Sequence, residues 1–164
     1  MGVLDGWRFC PRCGAEGDHR GSSFACSGCG YEAWSNSVPG VHALIERAGK
    51  VLLGRRAFDP GAGCWGLPGG FLEEGEPPLD GLRREVREET GLTIEPGELF
   101  GTWMSPHGER TVLVLVYRAA VLGGAERAAD DVTELGWFSA GDLPPDVGPA
   151  AFTEAVSAWR DEHA

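Results

Sequence analysis

Basic residues are scarce in this chain. Its 164 residues contain 14 Lys and Arg against 25 Asp and Glu, a formal net charge of −11. Even the cysteine-containing segment 1–36 has three Arg against four acidic residues. Because binding to a phosphate backbone requires clustered Lys and Arg, the sequence offers no basic footprint for DNA or RNA. Its composition argues against a nucleic-acid-binding protein.

Long apolar runs are also missing. The longest, Thr111 to Leu122, is interrupted by Arg118 and predicts a strand, so no membrane span is expected. We see no secretory leader, and Met1-Gly2 lacks the Ser or Thr at the sixth position of a myristoylation signal. The sequence therefore predicts a cytoplasmic protein without a membrane anchor, and it leaves a homodimer open.

Cysteine is rare, but four of the five cysteines form two C-x-x-C pairs. Cys10 and Cys13 make the first pair and Cys26 and Cys29 the second, with a glycine after each pair. This pattern is typical of a tetrahedral structural zinc site. Two disulfides are the alternative, which a reducing cytosol disfavours. The fifth cysteine, Cys64, is expected to be a buried thiol without a reactive role.

A dense frame of glycine and charged residues occupies positions 70–92. It reads G-F-L-E-E-G-E-P-P-L-D-G-L-R-R-E-V-R-E-E-T-G-L. Pro77 and Pro78 suit the first turn of a helix and Gly91 suits its end, so we predict a helix over 77–90. Leu and Val at helical spacing would anchor one side of this helix, which leaves its carboxylates on the adjacent arc.

Three glutamates, Glu85, Glu88 and Glu89, concentrate negative charge on the predicted helix. Glu85 has like-charged neighbours at both i+3 and i+4, a mildly destabilising arrangement. A hard divalent cation such as Mg²⁺ or Mn²⁺ would relieve this repulsion, because such ions prefer oxygen ligands. The alternative is an ordinary solvated face on which Arg84 pairs with Glu88. The complete frame favours the metal site.

The frame resembles that of the Nudix hydrolases. The positions that the family's pattern requires are filled by Gly70, Glu76, Arg84, Glu85, Val86, Glu88, Glu89, Gly91 and Leu92. The resemblance implies that a metal-activated water attacks a phosphorus of a nucleoside diphosphate linked to another moiety, X. The products would be a nucleoside monophosphate and phosphorylated X.

Roles for individual residues follow from the same resemblance. It implies that Glu85, Glu88 and Glu89 are carboxylate ligands of Mg²⁺ or Mn²⁺. Arg84 would orient one of these glutamates, and Glu76 would close a structural salt bridge.

Further contacts are expected outside the helix. Gly69 and Gly70 would let the backbone approach metal and phosphate closely, with the Gly69 carbonyl as another metal ligand. Arg55 and Arg56 could reach a phosphate, or they could simply be solvated bases at a strand end. Three aromatic residues could stack an adenine, although most such residues belong to a core: Phe58, Trp65 and Trp103.

Nudix hydrolases often take one more carboxylate from a downstream loop, as general base or ligand. The candidates here are Asp130, Asp131 and Glu134, just before a predicted strand over 135–138. We favour Glu134, and a solvated loop acid is the alternative.

The remaining sequence alternates apolar runs with turns. Two hairpins are predicted, from Val41–Glu46 with Lys50–Arg55 and from Leu99–Met104 with Thr111–Val121, the latter around Ser105-Pro-His-Gly108. A helix is predicted over 150–162. Strands mixed with helices predict an α/β fold, which the resemblance specifies as an α/β/α sandwich with a mixed sheet. A Cys₄ zinc ribbon over 1–36 would precede a Nudix hydrolase domain over 37–164.

The ribbon, L-L-G-R-R and W-G-L-P-G-G-F together resemble the zinc-ribbon Nudix hydrolases, which act on NADH, FAD or ADP-ribose. The chain lacks the S-Q-P-W-P-F-P array of NADH pyrophosphatases, whereas Pro106, fifteen residues beyond Gly91, lies at about the offset where ADP-ribose pyrophosphatases have a proline. We therefore expect a small nucleotide diphosphate as substrate, with ADP-ribose or FAD hydrolysed better than NADH. The alternative is a catalytically weak sensor that binds ADP-ribose or NAD, with the ribbon on a partner protein.

Overall fold

The computed structural model describes residues 3–163. Its elements in chain order are β1 (Gly17–Arg20), β2 (Ser23–Cys26), β3 (Glu32–Trp34), β4 (Val38–Arg47), β5 (Lys50–Arg56), β6 (Trp65–Gly66), β7 (Gly69–Phe71), α1 (Pro78–Thr90), β8 (Leu92–His107), β9 (Arg110–Gly124), β10 (Val132–Ser139) and α2 (Ala150–Glu162). Neither helix is long and apolar enough to cross a bilayer, a finding that covers the described residues.

Two compact units share the chain. The first unit comprises the described residues up to Val38 together with Pro106–Thr111, and the second comprises Pro39–Ser105 and the residues from Val112 onward. The division falls two residues after the expected boundary at Asn36. The tip of the β8–β9 hairpin belongs to the first unit, which the domain prediction did not foresee.

The first unit is built on the antiparallel sheet β1-β2-β3. Its small core contains Phe24 and two buried cysteines, Cys10 and Cys26. Each C-x-x-C pair closes a turn in which a glycine N–H donates to the first cysteine's carbonyl, from Gly14 at 2.9 Å and from Gly30 at 3.0 Å. Both glycines have a positive φ, of 75° and 71°, which explains why a glycine follows each pair.

A seven-stranded sheet with the order β10-β5-β4-β9-β8 forms the second unit, with β6 beside β5 and β7 beside β4. Alternate residues of β4 and β5 point to opposite faces. Leu44 and Leu53 pack in one core with α2, whereas Ile45 and Leu52 pack in another with α1. The helices therefore cover opposite faces, and the predicted mixed α/β sandwich is confirmed.

Local signals predicted the helices better than the strands. Helix α2 has the predicted bounds, and α1 begins at Pro78 with Pro77 as its N-cap. The second hairpin was predicted too short, because its strands continue to a turn at 108–109. Pro106 does not end β8, since β8 lies at the edge of the sheet, where a strand tolerates a missing N–H.

The C-terminus of α1 is capped by the loop that follows β9. Gly91 ends the helix with a φ of 70°, and a Cβ there would lie 2.4 Å from the Ala125 carbonyl oxygen. The N–H of Arg127 donates to the Thr90 carbonyl at 2.9 Å, and the N–H of Ala129 donates to the Glu89 carbonyl at 3.0 Å. These bonds satisfy helix carbonyls that have no partner within the helix.

A salt bridge fastens the loop after β7 to α1. Arg84 donates from Nε and Nη2 to the two carboxylate oxygens of Glu76, both at 2.9 Å, and from Nη2 to the Phe71 carbonyl at 3.2 Å. The N–H of Glu73 also donates to Glu76. The hydrogen bond from Arg84 and, to a smaller extent, that from the Glu73 N–H lower the pKa of Glu76 to about 2. The structural salt bridge predicted for Glu76 is therefore present.

Glu76→Gln should destabilise the fold at neutral pH because it removes the charge that Arg84 binds. Since the pKa of Glu76 is lowered, its contribution is fully present above the unfolded-state pKa of ~4.3 and is lost as pH falls toward 2. We expect a melting temperature a few degrees below that of the unsubstituted protein at pH 7, with the difference shrinking between pH 4.5 and pH 2. Glu74→Gln, at an exposed neighbouring position, is the control. Identical Glu76→Gln and unsubstituted melting curves at pH 7 would contradict this role.

Candidate active site

A glycine pair brings the backbone of β7 against α1. Gly69 has a φ of 135°, and a Cβ there would lie 2.1 Å from the Val41 carbonyl oxygen. At Gly70 a Cβ would lie 2.5 Å from a carboxylate oxygen of Glu85. Neither position can accept a side chain without movement of its surroundings. The pair therefore leaves room for the backbone directly beside the helix carboxylates.

Glu89 is the most deeply buried carboxylate of this region, with 4% of its surface exposed. Its Oε2 accepts a hydrogen bond from the Gly69 N–H at 2.7 Å. Asp131 lies beside it, and both line one small cavity. Burial, with the neighbouring Asp131 carboxylate, raises the pKa of Glu89 well above its usual range, and the Gly69 N–H opposes that shift.

Arg84 holds the other two glutamates of the helix. Its Nη1 donates to Glu85 at 2.7 Å and to Glu88 at 3.3 Å. The Arg84–Glu88 pair, which the solvated-face alternative predicts, is present, and the same guanidinium also binds Glu76 and Glu85. Hydrogen bonding to Glu76, with a contribution from Glu85, raises the pKa of Arg84. Burial raises the pKa of Glu85, which Arg84 opposes.

The structure brings Asp131 to these glutamates, whereas Glu134 was favoured from the sequence. Glu134 is exposed, and its carboxylate lies 3.5 Å from Nη1 of Arg55. The difference arises because β10 begins at Val132, three residues before the predicted strand. Asp131 is therefore the last residue of the loop, and its carbonyl accepts the Ala57 N–H at 2.7 Å.

The two candidate phosphate-binding arginines have different surroundings. Arg55 is engaged by the protein: its Nε donates to the Gly63 carbonyl at 3.0 Å, and its Nη atoms contact Glu134 and Asp146. Arg56 donates from Nε to the Pro60 carbonyl and lines the cavity that contains Glu89 and Asp131. Arg56 is thus the arginine placed beside the acidic site.

His42 is a residue that the sequence analysis missed. It lies on β4 opposite Gly69, and its Nδ1 lies 3.2 Å from the Leu67 carbonyl oxygen. Its ring packs edge-on against Phe152, with ring centroids 4.6 Å apart. Burial lowers the pKa of His42 to about 4, against the effect of the Leu67 carbonyl, so the ring is neutral at pH 7. A polar residue inside the apolar run 41–45 was the available signal.

The aromatic candidates do not form a shared platform in the structure. Trp65 is buried and packs edge-on against Phe138, with centroids 4.9 Å apart. Trp103 packs beside Phe100 at the edge of the same core, and Phe58 is exposed. Trp65 is therefore a core residue.

The donor atoms available in the two units differ in chemistry and in spacing. Within residues 3–163, the four cysteines are the only group of three or more potential ligands whose atoms lie within 4.8 Å of one another. They are free thiols, and this cluster fits a zinc ribbon. The glutamates of α1 are spread more widely but offer only oxygen donors, the ligand type of Mg²⁺ and Mn²⁺.

Comparison with known proteins places this geometry in a family. A NUDIX domain model matches residues 36–156. An ADP-ribose pyrophosphatase of Methanocaldococcus jannaschii is 36% identical over 116 residues, which cover 70% of this chain and 69% of that protein. An NAD-capped RNA hydrolase NudC of Pseudomonas aeruginosa is 33% identical over 84% of this chain, but the match spans only 50% of that protein.

A solved structure extends the likeness to nearly the whole chain. The crystal structure of a NUDIX hydrolase from Nitrosomonas europaea superposes with a TM-score of 0.81 at 28% identity, covering 95% of this chain and 92% of that one. Family match and shared fold agree with the acidic helix and the glycine pair beside it. The chain belongs to the Nudix family of hydrolases.

Proposed function

We propose that this protein hydrolyses the diphosphate linkage between a nucleoside and a second moiety X, with ADP-ribose and FAD preferred over NADH. The observation that carries the proposal is the convergence of Glu89, Asp131 and the Gly69-Gly70 backbone beside Arg56. The carboxylates are suited to hold a metal ion, and the glycine backbone and the Arg56 guanidinium are suited to bind phosphate.

The relatives support this substrate class. One relative is named an ADP-ribose pyrophosphatase, and it matches over about two thirds of its length. The NAD-capped RNA hydrolases match over about half of theirs. This chain also lacks the NADH array and has a net charge of −11, which favours a small diphosphate over a capped RNA.

Nudix enzymes use divalent metals, and the oxygen donors here suit Mg²⁺ or Mn²⁺. We assign Glu85, Glu88 and Glu89 as the metal-holding carboxylates, with the Gly69 carbonyl as a further donor. When bound, the metal would neutralise phosphate charge and acidify the attacking water. Arg84 orients Glu85 and Glu88 by direct hydrogen bonds, and the Gly69 N–H fixes Glu89.

Asp131 is the group that we assign as general base, in place of Glu134. Its carboxylate would accept a proton from the water while the water oxygen bonds to phosphorus and the bridging P–O bond breaks. Arg56 would bind a non-bridging phosphate oxygen. The released fragments are a nucleoside monophosphate and phosphorylated X, so AMP is one product from ADP-ribose or FAD.

We further propose that Cys10, Cys13, Cys26 and Cys29 hold a structural Zn²⁺. Burial by itself raises the pKa of Cys10, but N–H groups of Arg12 and Cys13 and the neighbouring thiols outweigh it and lower that pKa to about 7. Against the Ala15 N–H, the neighbouring thiols raise the pKa of Cys13 to about 12, so a bound Zn²⁺ would displace the protons that these sulfurs share. Free thiols also suit the reducing cytoplasm that we propose as this protein's location.

Glu89→Gln should lower kcat at least about 100-fold, equivalent to ~2.7 kcal/mol of transition-state stabilisation. The amide oxygen of Gln can still accept the Gly69 N–H, so folding should be retained, as a melting curve would show. Steady-state kinetics with Mg²⁺ and Mn²⁺ measure the effect. Glu134→Gln is the matched control and should keep most of the turnover. A Glu89→Gln enzyme with near-full turnover would remove Glu89 from the catalytic site.

Substrate choice is tested by incubating the protein with candidate diphosphates and measuring monophosphate release. The panel is ADP-ribose, FAD, NADH, NAD, diadenosine polyphosphates and oxidised dGTP, each with Mg²⁺ and with Mn²⁺. We expect kcat/KM for ADP-ribose or FAD to exceed that for NADH. A value for NADH tenfold above both, or ~1.4 kcal/mol, would reverse the predicted preference. Binding of ADP-ribose without hydrolysis of any compound would favour the alternative hypothesis, in which the protein is a sensor of ADP-ribose or NAD.

Metal analysis of the purified protein should find about one zinc per chain that remains after Mg²⁺ is removed, because closed thiolate sites bind with apparent energies of roughly 10–16 kcal/mol. Cys26→Ser should release it, whereas Cys64→Ser should not. A folded protein with two disulfides and no zinc would refute the site.

A further inference from the structure

The loop over 125–131 has one side-chain anchor besides its backbone bonds to α1 and the bond from the Ala57 N–H to the Asp131 carbonyl. The Glu126 carboxylate accepts a hydrogen bond from Nη2 of Arg47 at 3.2 Å. The indole N–H of Trp137 donates to both carboxylate oxygens of Glu126, at 3.1 and 3.0 Å. The Arg47 guanidinium in turn lies over the Trp137 ring, 4.1 Å from its centroid. The end of β4, the loop and β10 thus meet at one carboxylate.

This anchor acts on the loop that ends in Asp131. Among the described side chains of 125–131, Glu126 is the only one, apart from Asp131 itself, with a polar contact to another element. Asp131 lies beside the buried Glu89, and both line the same small cavity, so the position of the loop sets the distance between these two carboxyl groups. A loop with fewer tethers would let Asp131 move away from Glu89 into water.

We propose that Arg47, Glu126 and Trp137 form a clamp that positions Asp131 against Glu89. The inference rests on the proposed function, because the distance it controls is that between the general base and the metal-holding glutamate. Glu126 is a positioning residue: it acts through the loop backbone, whose Arg127 and Ala129 N–H groups are bonded to α1.

The clamp should affect the rate of turnover and contribute little to the stability of the fold. The Arg47 and Glu126 side chains are 54% and 32% exposed, and exposed ion pairs contribute little to global stability. Small errors in the placement of catalytic groups, by contrast, reduce turnover strongly. Loss of the clamp should therefore lower kcat while KM and the melting temperature change little.

The test is a double-mutant cycle between Glu126 and Asp131, using ADP-ribose with Mg²⁺. Glu126→Ala should lower kcat about tenfold with KM within about twofold. In an Asp131→Asn background the same substitution should cause no further decrease, since there is no base left to position. Glu126→Gln, which keeps an oxygen for the Trp137 N–H, should retain an intermediate kcat.

Glu162→Ala is the matched control, because it also removes a partly exposed carboxylate paired with an arginine, Arg118, but at a site without contact to the loop. It should leave kcat unchanged. An equal decrease of kcat for Glu126→Ala in both backgrounds would overturn the proposal, because the clamp would then not act through Asp131.

Hydrogen exchange gives a readout that does not depend on turnover. In Glu126→Ala the amides of Arg127 and Ala129 should exchange about tenfold faster, while the Gly91 amide, bonded to the Arg87 carbonyl, should not change. Unchanged exchange at both loop amides would overturn the clamp. If the unsubstituted protein hydrolyses no diphosphate, the proposed function fails and hydrogen exchange alone decides whether the clamp exists.

Discussion

The crowding of four carboxyl groups beside one another is the constraint around which the candidate site is organised. Three glutamates of α1 and Asp131 share a small region, and Glu89 and Asp131 adjoin each other where water is largely excluded. Each is held by a specific group: Arg84 binds two glutamates, the Gly69 N–H binds Glu89, and the loop backbone carries Asp131. Helix α1 itself supplies Arg84, while β7 supplies the Gly69 N–H and the loop before β10 supplies Asp131, so the arrangement of the fold and that of the charges have one explanation.

The candidate site also requires that the backbone of β7 lies very close to α1 and β4. At Gly70 the space that a Cβ would occupy is already filled by the Glu85 carboxylate, and at Gly69 it is filled by the β4 backbone. His42 lies on β4 opposite Gly69, and its contact with the Leu67 carbonyl holds the segment just before the glycine pair. A neutral ring suits this position, because a second positive charge beside Arg56 would be costly in a buried site.

Features set by neighbouring residues were predictable, and features set by distant ones were not. The bounds of α1 and α2 follow from prolines, a terminal glycine and apolar spacing, and the Glu76–Arg84 pair follows from a family pattern. The preference for Glu134 over Asp131 was not supported, since it depended on where β10 begins. That start is determined by pairing with β5, formed some 80 residues earlier in the chain. No local signal reports such a register.

The composition of the first unit has a consequence for synthesis. Its described N-terminal residues are joined there by Pro106–Thr111, the tip of the β8–β9 hairpin. On the ribosome this tip emerges only after β4 to β7, α1 and most of β8 have been made. The cysteine pairs are thus translated first, yet the unit that contains them is completed only when the chain is roughly two thirds synthesised. During translation the cysteine pairs must therefore wait for residues that lie far downstream before the unit that contains them is complete.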